Sequence, residues 1–108
     1  MTLFGNTSIT PLVSVVITTK NEEANIENCL RSIYAQNYPK ECFEVIVVDT
    51  QSSDRTQEIA QKFTPLVFDK RSESERSEQR NFGIFSIAQG EYSLFLDADM
   101  ILGLWNWN

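Results

Sequence analysis

The residue pair best suited to chemistry is Asp97 and Asp99, which follow an apolar run over 91–96. Such a run is typical of a buried strand, and residues two apart on extended backbone point the same way. The two carboxylates are therefore expected to project together past the strand's end. Adjacent anions repel unless a cation neutralises them, and Mg2+ or Mn2+ bound to phosphates is the usual partner. The spacing predicts a divalent-metal site; two solvated loop acids are the alternative.

Three further segments have the composition of strands and determine where these acids would lie. The run over 13–18 is rich in β-branched residues and nearly continuous in apolarity, as in a strand covered on both faces. The run over 43–49 is similar and also ends on a carboxylate, Asp49. A shorter strand is predicted over 65–69. Four strands are therefore expected, the last over 91–96.

Helical patterns separate these strands. Apolar residues recur at helical spacing from 22 to about 36, with Asn21 as the expected cap. Ser52 and Asp54 are typical helix-starting residues for a second helix. A charged loop over 70–78 is expected to lead into a third helix that ends at Gly90. The alternation predicts an α/β fold with a Rossmann-like parallel sheet built from βαβ units.

Parallel sheets bind ligands outside the carboxyl ends of their strands. Asp49 ends one predicted strand, and Asp97 and Asp99 follow another, so three carboxylates are predicted at one edge. A chance rim of acids is the alternative. The chain has neither a glycine-rich dinucleotide motif nor a P-loop. A metal held by acids is therefore expected to bind phosphate in place of a backbone cradle.

The overall composition narrows the classes of function. The 108-residue chain carries a formal charge of −6, which argues against a nucleic-acid or anionic-membrane surface. It has no apolar run of membrane-spanning length and no signal-peptide pattern. The absence of histidine excludes Ser-His-Asp triads. Cys29 and Cys42 form no metal or redox motif, so a reducing, cytoplasmic location is expected, with the cytoplasmic membrane face accessible through parts outside this chain.

Positive charge gathers in a segment before the last predicted strand. Glutamates are interleaved with these cations at spacings of three and four, which is typical of a solvated helix face. The functional alternative is that Arg76 or Arg80 reaches a diphosphate oxygen. The cations of the segment are Lys70, Arg71, Arg76 and Arg80.

Several blocks of the sequence together resemble a known family. The blocks are VVITTKNEE (15–23), VVDTQSSDRT (47–56), QRNFGI (79–84), GEY (90–92) and LDAD (96–99). In this order and spacing they are similar to family 2 glycosyltransferases, which have the GT-A fold, and the resemblance runs from about 13 to 102. It implies metal-dependent transfer of a sugar, with inversion, from a UDP- or GDP-linked donor to an acceptor that the sequence does not identify.

The resemblance also implies roles for individual residues. Asp49 would hydrogen-bond the base, usually uracil or guanine. Asp97 and Asp99 would meet the ribose and the Mg2+ or Mn2+ on the diphosphate. The residues implied to line the nucleoside pocket are Thr18, Thr19, Asn21 and Glu23.

Three residues depart from the family pattern. Lys20 stands where an aromatic residue is frequent, Thr50 where a second acid is frequent, and Gln51 where glycine is common. The first is expected to alter base stacking and the other two to narrow or shift the choice of nucleotide. None of them removes the metal pair.

The expected organisation has three parts: an irregular arm over 1–12, a nucleotide-sugar-binding domain over 13–102, and a tail over 103–108 that leads to an acceptor half. In the family that second half supplies the carboxylate base. The base is therefore expected beyond residue 108, and this chain alone is expected to bind donor with little transfer. Weak self-association through exposed apolar surface is a further expectation.

Three alternative functions remain open at this point. A non-catalytic nucleotide-sugar-binding module would carry the same residues. A haloacid dehalogenase-type phosphatase also ends an apolar strand on Asp-x-Asp, but its pattern requires Thr or Val where Ile101 stands. A nucleotidyltransferase would require a glycine-rich first loop, which is missing.

Overall fold

The computed structural model describes residues 11–70, 82 and 87–103. The arm over 1–10, most of the charged loop and third helix expected over 70–90, and the tail over 104–108 lie outside the described residues. In chain order the elements are β1 (Val13–Thr19), α1 (Ile26–Tyr34), a 3-10 turn (Lys40–Cys42), β2 (Phe43–Asp49), α2 (Thr56–Gln61), β3 (Val67–Asp69) and β4 (Tyr92–Asp97). No helix in these described ranges has the length and apolarity needed to cross a membrane.

The four strands form one parallel sheet in the order β3-β2-β1-β4. β1 pairs with β2 on one side and with β4 on the other. Six of its seven residues are buried, as expected for a strand covered on both faces. The prediction of a parallel α/β sheet is therefore confirmed. β1 is the strand that pairs with both β2 and β4.

Two apolar layers hold the sheet. On one face, Ile17 and Val47 pack with the buried side chains of α1 and α2. On the other face, a smaller cluster of Val16, Ile46 and Val48 contacts Phe68 and other partly buried side chains. Burial of each such side chain stabilises the fold by about 1.5 to 3 kcal/mol. Both faces of the sheet are therefore packed against other parts of the chain.

The start of α1 differs from its prediction. The helix begins at Ile26, after a turn in which the Ile26 N–H donates to the Glu22 carbonyl (2.8 Å). The prediction that Asn21 caps this helix is wrong. Its backbone is left-handed (φ 54°), and its side-chain oxygen accepts the Ser53 N–H (2.8 Å) from the next loop. The backbone N–H that the Asn21 side chain binds thus belongs to the loop after β2 and not to α1.

Gly90 also has a different role from the one predicted. It was expected to end a helix, where glycine supplies left-handed backbone, but no glycine in the described ranges has a positive φ. The Gly90 N–H donates to Ser14 Oγ (2.8 Å). A Cβ at this position would lie 2.6 Å from that oxygen and 2.7 Å from the Ser14 nitrogen. Close approach to β1 therefore requires glycine here.

Candidate functional site

The strand ends meet at one edge of the sheet. The register pairs Thr19 with Asp49 of β2, and Thr18 with Asp97 of β4. Since neighbouring strands lie about 4.8 Å apart, Asp49 and Asp97 flank β1 at roughly 10 Å from each other. Asp69 ends β3 beside Asp49 and is an acid of this edge that the sequence reasoning did not single out. The acids of three strands thus share one edge.

Asp49 is fully buried, and both its oxygens accept hydrogen bonds from protein groups. Oδ1 accepts from the hydroxyls of Thr19 and Ser52, the latter at 2.6 Å. Oδ2 accepts from the Ser52 N–H (2.8 Å) and from Nε2 of Gln57 (2.7 Å). A buried carboxylate is tolerated only with such donors. Asp49 therefore ties the end of β1 to the start of α2.

Reciprocal hydrogen bonds join the β1–α1 loop to the β2–α2 loop. The Asn21 N–H donates to Ser52 Oγ (2.7 Å), and the Asn21 side chain accepts from Ser53. One turn further on, the Glu23 N–H donates to Asp54 (3.1 Å) and the Glu23 carboxylate accepts the Arg55 N–H (2.9 Å). Because each loop supplies side chains for amides of the other, the two loops form one hydrogen-bonded unit.

The two loops also share a backbone feature. Asn21 follows the end of β1 by two residues, Gln51 follows the end of β2 by two residues, and both are left-handed, with φ of 54° and 45°. Asn adopts this conformation readily, whereas for Gln it costs about 1 kcal/mol. Glycine, which the family resemblance implies is common at the position of Gln51, adopts this conformation without strain. The departure therefore introduces local backbone strain.

Thr18 and Asp97 lie on the other side of the sheet's end. Side chains alternate along a strand, so Thr19 and Asp49 share the side of the two helices, whereas Thr18 and Asp97 share the side of Val16. Thr18 is 1% exposed, and its Oγ1 has no hydrogen-bond partner among the described residues. An unpaired buried hydroxyl costs about 1 to 3 kcal/mol and calls for an explanation. A polar ligand at this edge would supply one.

Asp99 lies in a turn rather than on extended backbone. β4 ends at Asp97, and the Met100 N–H donates to the Asp97 carbonyl (2.9 Å), which closes the turn. Ala98 is buried, whereas Asp99 is exposed. Since only Asp97 belongs to the strand, the prediction that both acids lie on extended backbone is wrong. A turn brings the second carboxylate to the solvent side instead.

The carboxylate of Asp99 lies close enough to α1 to affect the pKa of Cys29. Burial raises the pKa of the Cys29 thiol to about 11, and the carboxylates of Asp99 and Glu22 contribute to the same rise. Cys29 also lies 3.9 Å from the Asp97 carbonyl through its Sγ. The turn after β4 therefore lies over the part of α1 that contains Cys29, and the thiol stays protonated at neutral pH.

The donor set fits a hard cation shared with phosphate. Asp97 is half-buried and Asp99 is exposed, and both offer carboxylate oxygens. Within the described ranges, no three or more carboxylate, cysteine or histidine side chains are grouped to hold a metal ion. Mg2+ typically takes one or two carboxylates and completes its shell with phosphates and water. Two carboxylates are therefore enough for such a site, provided that a ligand supplies the rest.

The structure places several of the predicted site residues at one edge of the sheet. The structure brings Thr18, Thr19, Asn21 and Glu23 to the edge that also holds Asp49 and Asp97. Arg76 and Arg80 lie outside the described residues. Ser52 was assigned only to helix initiation, although a polar residue three positions after an aspartate is a turn signal that could have linked it to Asp49. No local pattern pointed to Gln57.

Comparison with known proteins gives consistent results. The family model described as Glycosyl transferase family 2 matches residues 14–102. Glycosyltransferase AglE of Haloferax volcanii is 41% identical over 100 residues, which cover 86% of this chain and 32% of that protein. Poly(ribitol-phosphate) beta-N-acetylglucosaminyltransferase TarS of Staphylococcus aureus is 37% identical over 91 residues, covering 80% and 16%. The chain thus spans a third or less of these relatives.

Solved structures show the same likeness. TarS 1-349 of S. aureus superposes with a TM-score of 0.70 at 34% identity, covering 82% of this chain and 27% of that one. The mannosyltransferase PcManGT of Pyrobaculum calidifontis gives a TM-score of 0.73 at 30% identity, covering 93% and 30%. These neighbours confirm the expected Rossmann-like half of a GT-A fold. On the family match and these relatives, the chain belongs to glycosyl transferase family 2.

Proposed function

We propose that this chain is the donor-binding part of a glycosyltransferase and that the edge formed by β1, β2 and β4 binds a nucleotide-diphosphate sugar. The observation that carries the proposal is the Thr18 hydroxyl beside Asp97, which is buried without a partner in the described part of the chain. Neighbouring structures support it: TarS was solved with UDP and with UDP-GlcNAc, and PcManGT with GDP-Man and Mn2+. The proposed ligand is therefore a UDP- or GDP-linked sugar.

The nucleoside would lie against the joined loops. Asn21 and Glu23 are exposed, although each has a side-chain oxygen that accepts a backbone N–H of the β2–α2 loop, whereas Thr19 is buried and acts through Asp49. Direct contact between Asp49 and a base stays a prediction, because it requires one protein donor to leave. Gln57 is the donor suited to this, since its half-buried side chain can rotate away. Arg76 and Arg80 remain proposed diphosphate ligands.

Asp97 and Asp99 are the residues proposed to hold Mg2+ or Mn2+. When bound, such a metal offsets the negative charge that develops on the departing nucleoside diphosphate. The chain's own contribution is to hold the two carboxylates at fixed positions, one at the end of a paired strand and one in a closed turn. The family match favours this function over the phosphatase.

Transfer with inversion to an acceptor is proposed for the whole protein, and no described residue is assigned as its base. A non-catalytic module would bind the donor in the same way, so turnover by the longer protein separates the two. A reducing, cytoplasmic location is part of the proposal and is supported by the free cysteines Cys29 and Cys42. Self-association stays a prediction, supported by the exposed Tyr92 and Ile101.

The test is thermal unfolding of the chain with UDP-GlcNAc or GDP-Man, with and without Mn2+. We expect donor and metal together to raise the Tm by several degrees, since ligand at 100 times its Kd stabilises by about 2.7 kcal/mol. Asp99→Asn removes the charge that the metal requires. The variant is expected to lose the metal-dependent part of the shift and to keep the Tm of the unliganded protein.

Asp69→Asn is the matched control. Asp69 is also an exposed acid at a strand end, but it lies at the far side of the edge, where it accepts the Gln51 N–H (3.1 Å). This variant is expected to keep the full metal-dependent shift. The proposed function is overturned if neither donor shifts the Tm of the wild-type chain, or if both variants lose the shift equally.

A further inference from the structure

We infer that Ser32, in the last turn of α1, and Gln36, two residues after the end of α1, are positioning residues that fix Asp99 by anchoring the chain just after it. The inference rests on the proposed function, because it assigns these two side chains to the proposed metal pair. Neither residue lies at the carboxyl edge of the sheet, and no sequence pattern marked them. Their contacts with residues 102–103 are what points to this role.

Ser32 anchors the segment through its hydroxyl. Oγ accepts the Leu102 N–H (2.9 Å) and donates to the Cys29 carbonyl (2.6 Å), so the hydroxyl is both an acceptor and a donor. Leu102 in turn packs its side chain against the apolar cluster that contains α1. The backbone and the side chain of Leu102 are therefore both held on the helix.

Gln36 anchors the next residue. Its Nε2 donates to the Gly103 carbonyl (2.8 Å), with a longer contact to the Leu102 carbonyl (3.4 Å) and a bond to the Ser32 carbonyl (2.9 Å). The residue is 5% exposed. A buried amide is retained only when its hydrogen bonds are made. Those bonds are made here to the segment after Asp99.

The anchors matter because Asp99 is exposed within a short turn. Asp97 is held by strand pairing with β1, and the buried Ala98 fixes the middle of the turn. From Asp99 to Gly103, the last described residue, the chain has no strand to hold it. Ser32 supplies that support at Leu102, and Gln36 supplies it at Gly103. A cation between two carboxylates requires both at defined positions. Loss of these anchors would therefore release Asp99 while leaving Asp97 in place.

Ser32→Ala tests this, with Ser14→Ala as the matched control. Ser14 Oγ likewise accepts a backbone N–H, from Gly90 (2.8 Å), and donates to another group, Glu44 (2.6 Å), but it lies at the amino edge of the sheet. Both variants lose one bridging hydroxyl and a similar amount of stability. Only Ser32→Ala is expected to change the metal response.

The measurement is the Mn2+ concentration that gives half of the donor-dependent Tm shift with UDP-GlcNAc or GDP-Man. We expect Ser32→Ala to raise it about 3- to 10-fold, the equivalent of one lost hydrogen bond. Donor binding should recover at high Mn2+. Ser32→Thr keeps the hydroxyl and is expected to restore the wild-type value. Gln36→Met, which removes the donor but keeps the volume, should repeat the effect of Ser32→Ala.

The outcomes separate the inference from the proposed function. A wild-type chain without any Mn2+-dependent shift overturns the proposed function and this inference with it. When the wild type responds, equal changes in Ser32→Ala and Ser14→Ala show a general loss of stability and overturn the inference alone. Unchanged Mn2+ dependence in both Ser32→Ala and Gln36→Met does the same.

Discussion

Asp49 and Asp99 are two acids near one edge of the sheet, and their surroundings are opposite. Asp49 is fully buried and accepts four hydrogen bonds from Thr19, Ser52 and Gln57. Asp99 is exposed in a turn, and Ser32 of α1 accepts a backbone N–H from the chain three residues after it. The first carboxylate stabilises the protein, whereas the second is available to a ligand.

The difference shows how residue type alone can mislead. A carboxylate whose oxygens are occupied by internal donors acts mainly through the loops it holds, because releasing a donor in a buried site costs free energy. A carboxylate in water costs little to maintain and is free to bind a cation. We therefore expect substitutions on the Asp49 side to change stability and substitutions on the Asp99 side to change ligand binding.

Asp49→Asn is expected to have the largest effect on stability. The substitution keeps the shape but replaces one accepting oxygen with an N–H2 group that faces donors in a buried site. The free energy of unfolding should fall by about 2 to 4 kcal/mol. Urea unfolding measures it. Asp99→Asn is the same chemical change at an exposed position and should alter stability by about 0.5 kcal/mol or less. Similar losses in both variants would remove the distinction between the two acids.

The thiol of Cys29 gives an intermediate effect that depends on pH. Its pKa is raised from 9.0 to about 11 by burial and by the carboxylates of Asp99 and Glu22. Because the folded state keeps its proton to a higher pH than the unfolded state, this stabilisation is complete below pH 9. It is lost between pH 9 and 11, with a loss on the order of 1 kcal/mol by pH 10.

Urea unfolding at pH 8 and pH 10 measures this loss, and Cys29→Ala is the comparison. Burial also raises the pKa values of Tyr34 and Tyr38, but these tyrosines are present in both proteins and their contribution cancels. The wild type should lose more stability between the two pH values than Cys29→Ala does. Equal losses would show that the folded protein does not raise the pKa of the Cys29 thiol.

Gln51→Gly is expected to have the smallest effect, and it is stabilising. Gln51 is left-handed (φ 45°), a conformation that glycine adopts without a steric cost. The gain from removed strain exceeds the loss from greater freedom of the unfolded chain, so the net change should be about 0.5 kcal/mol. Urea unfolding at pH 7 tests it. Asn21→Gly, at the matching position of the other loop, should instead destabilise, because it also removes the bond to Ser53.

The sequence by itself determined the type and order of the four strands and of the two helices α1 and α2. The strand over 43–49 has the predicted bounds, and β1 and β4 each extend one residue past the predicted end. Apolar runs specify strands because both faces of a parallel sheet are buried. The alternation of strands and helices then leads to a parallel sheet, so the order of residues alone was enough to assign Asp49 and Asp97 to one edge.

The tertiary structure alone decided which acids are enclosed and which are open. The donors to Asp49 include Gln57, eight residues away, and Thr19, from a neighbouring strand. The anchors of the Asp99 turn come from Ser32 and Gln36, more than sixty residues earlier in the chain. Sequence periodicity records which face a residue occupies, whereas hydrogen bonds between distant segments depend on how the elements meet in space.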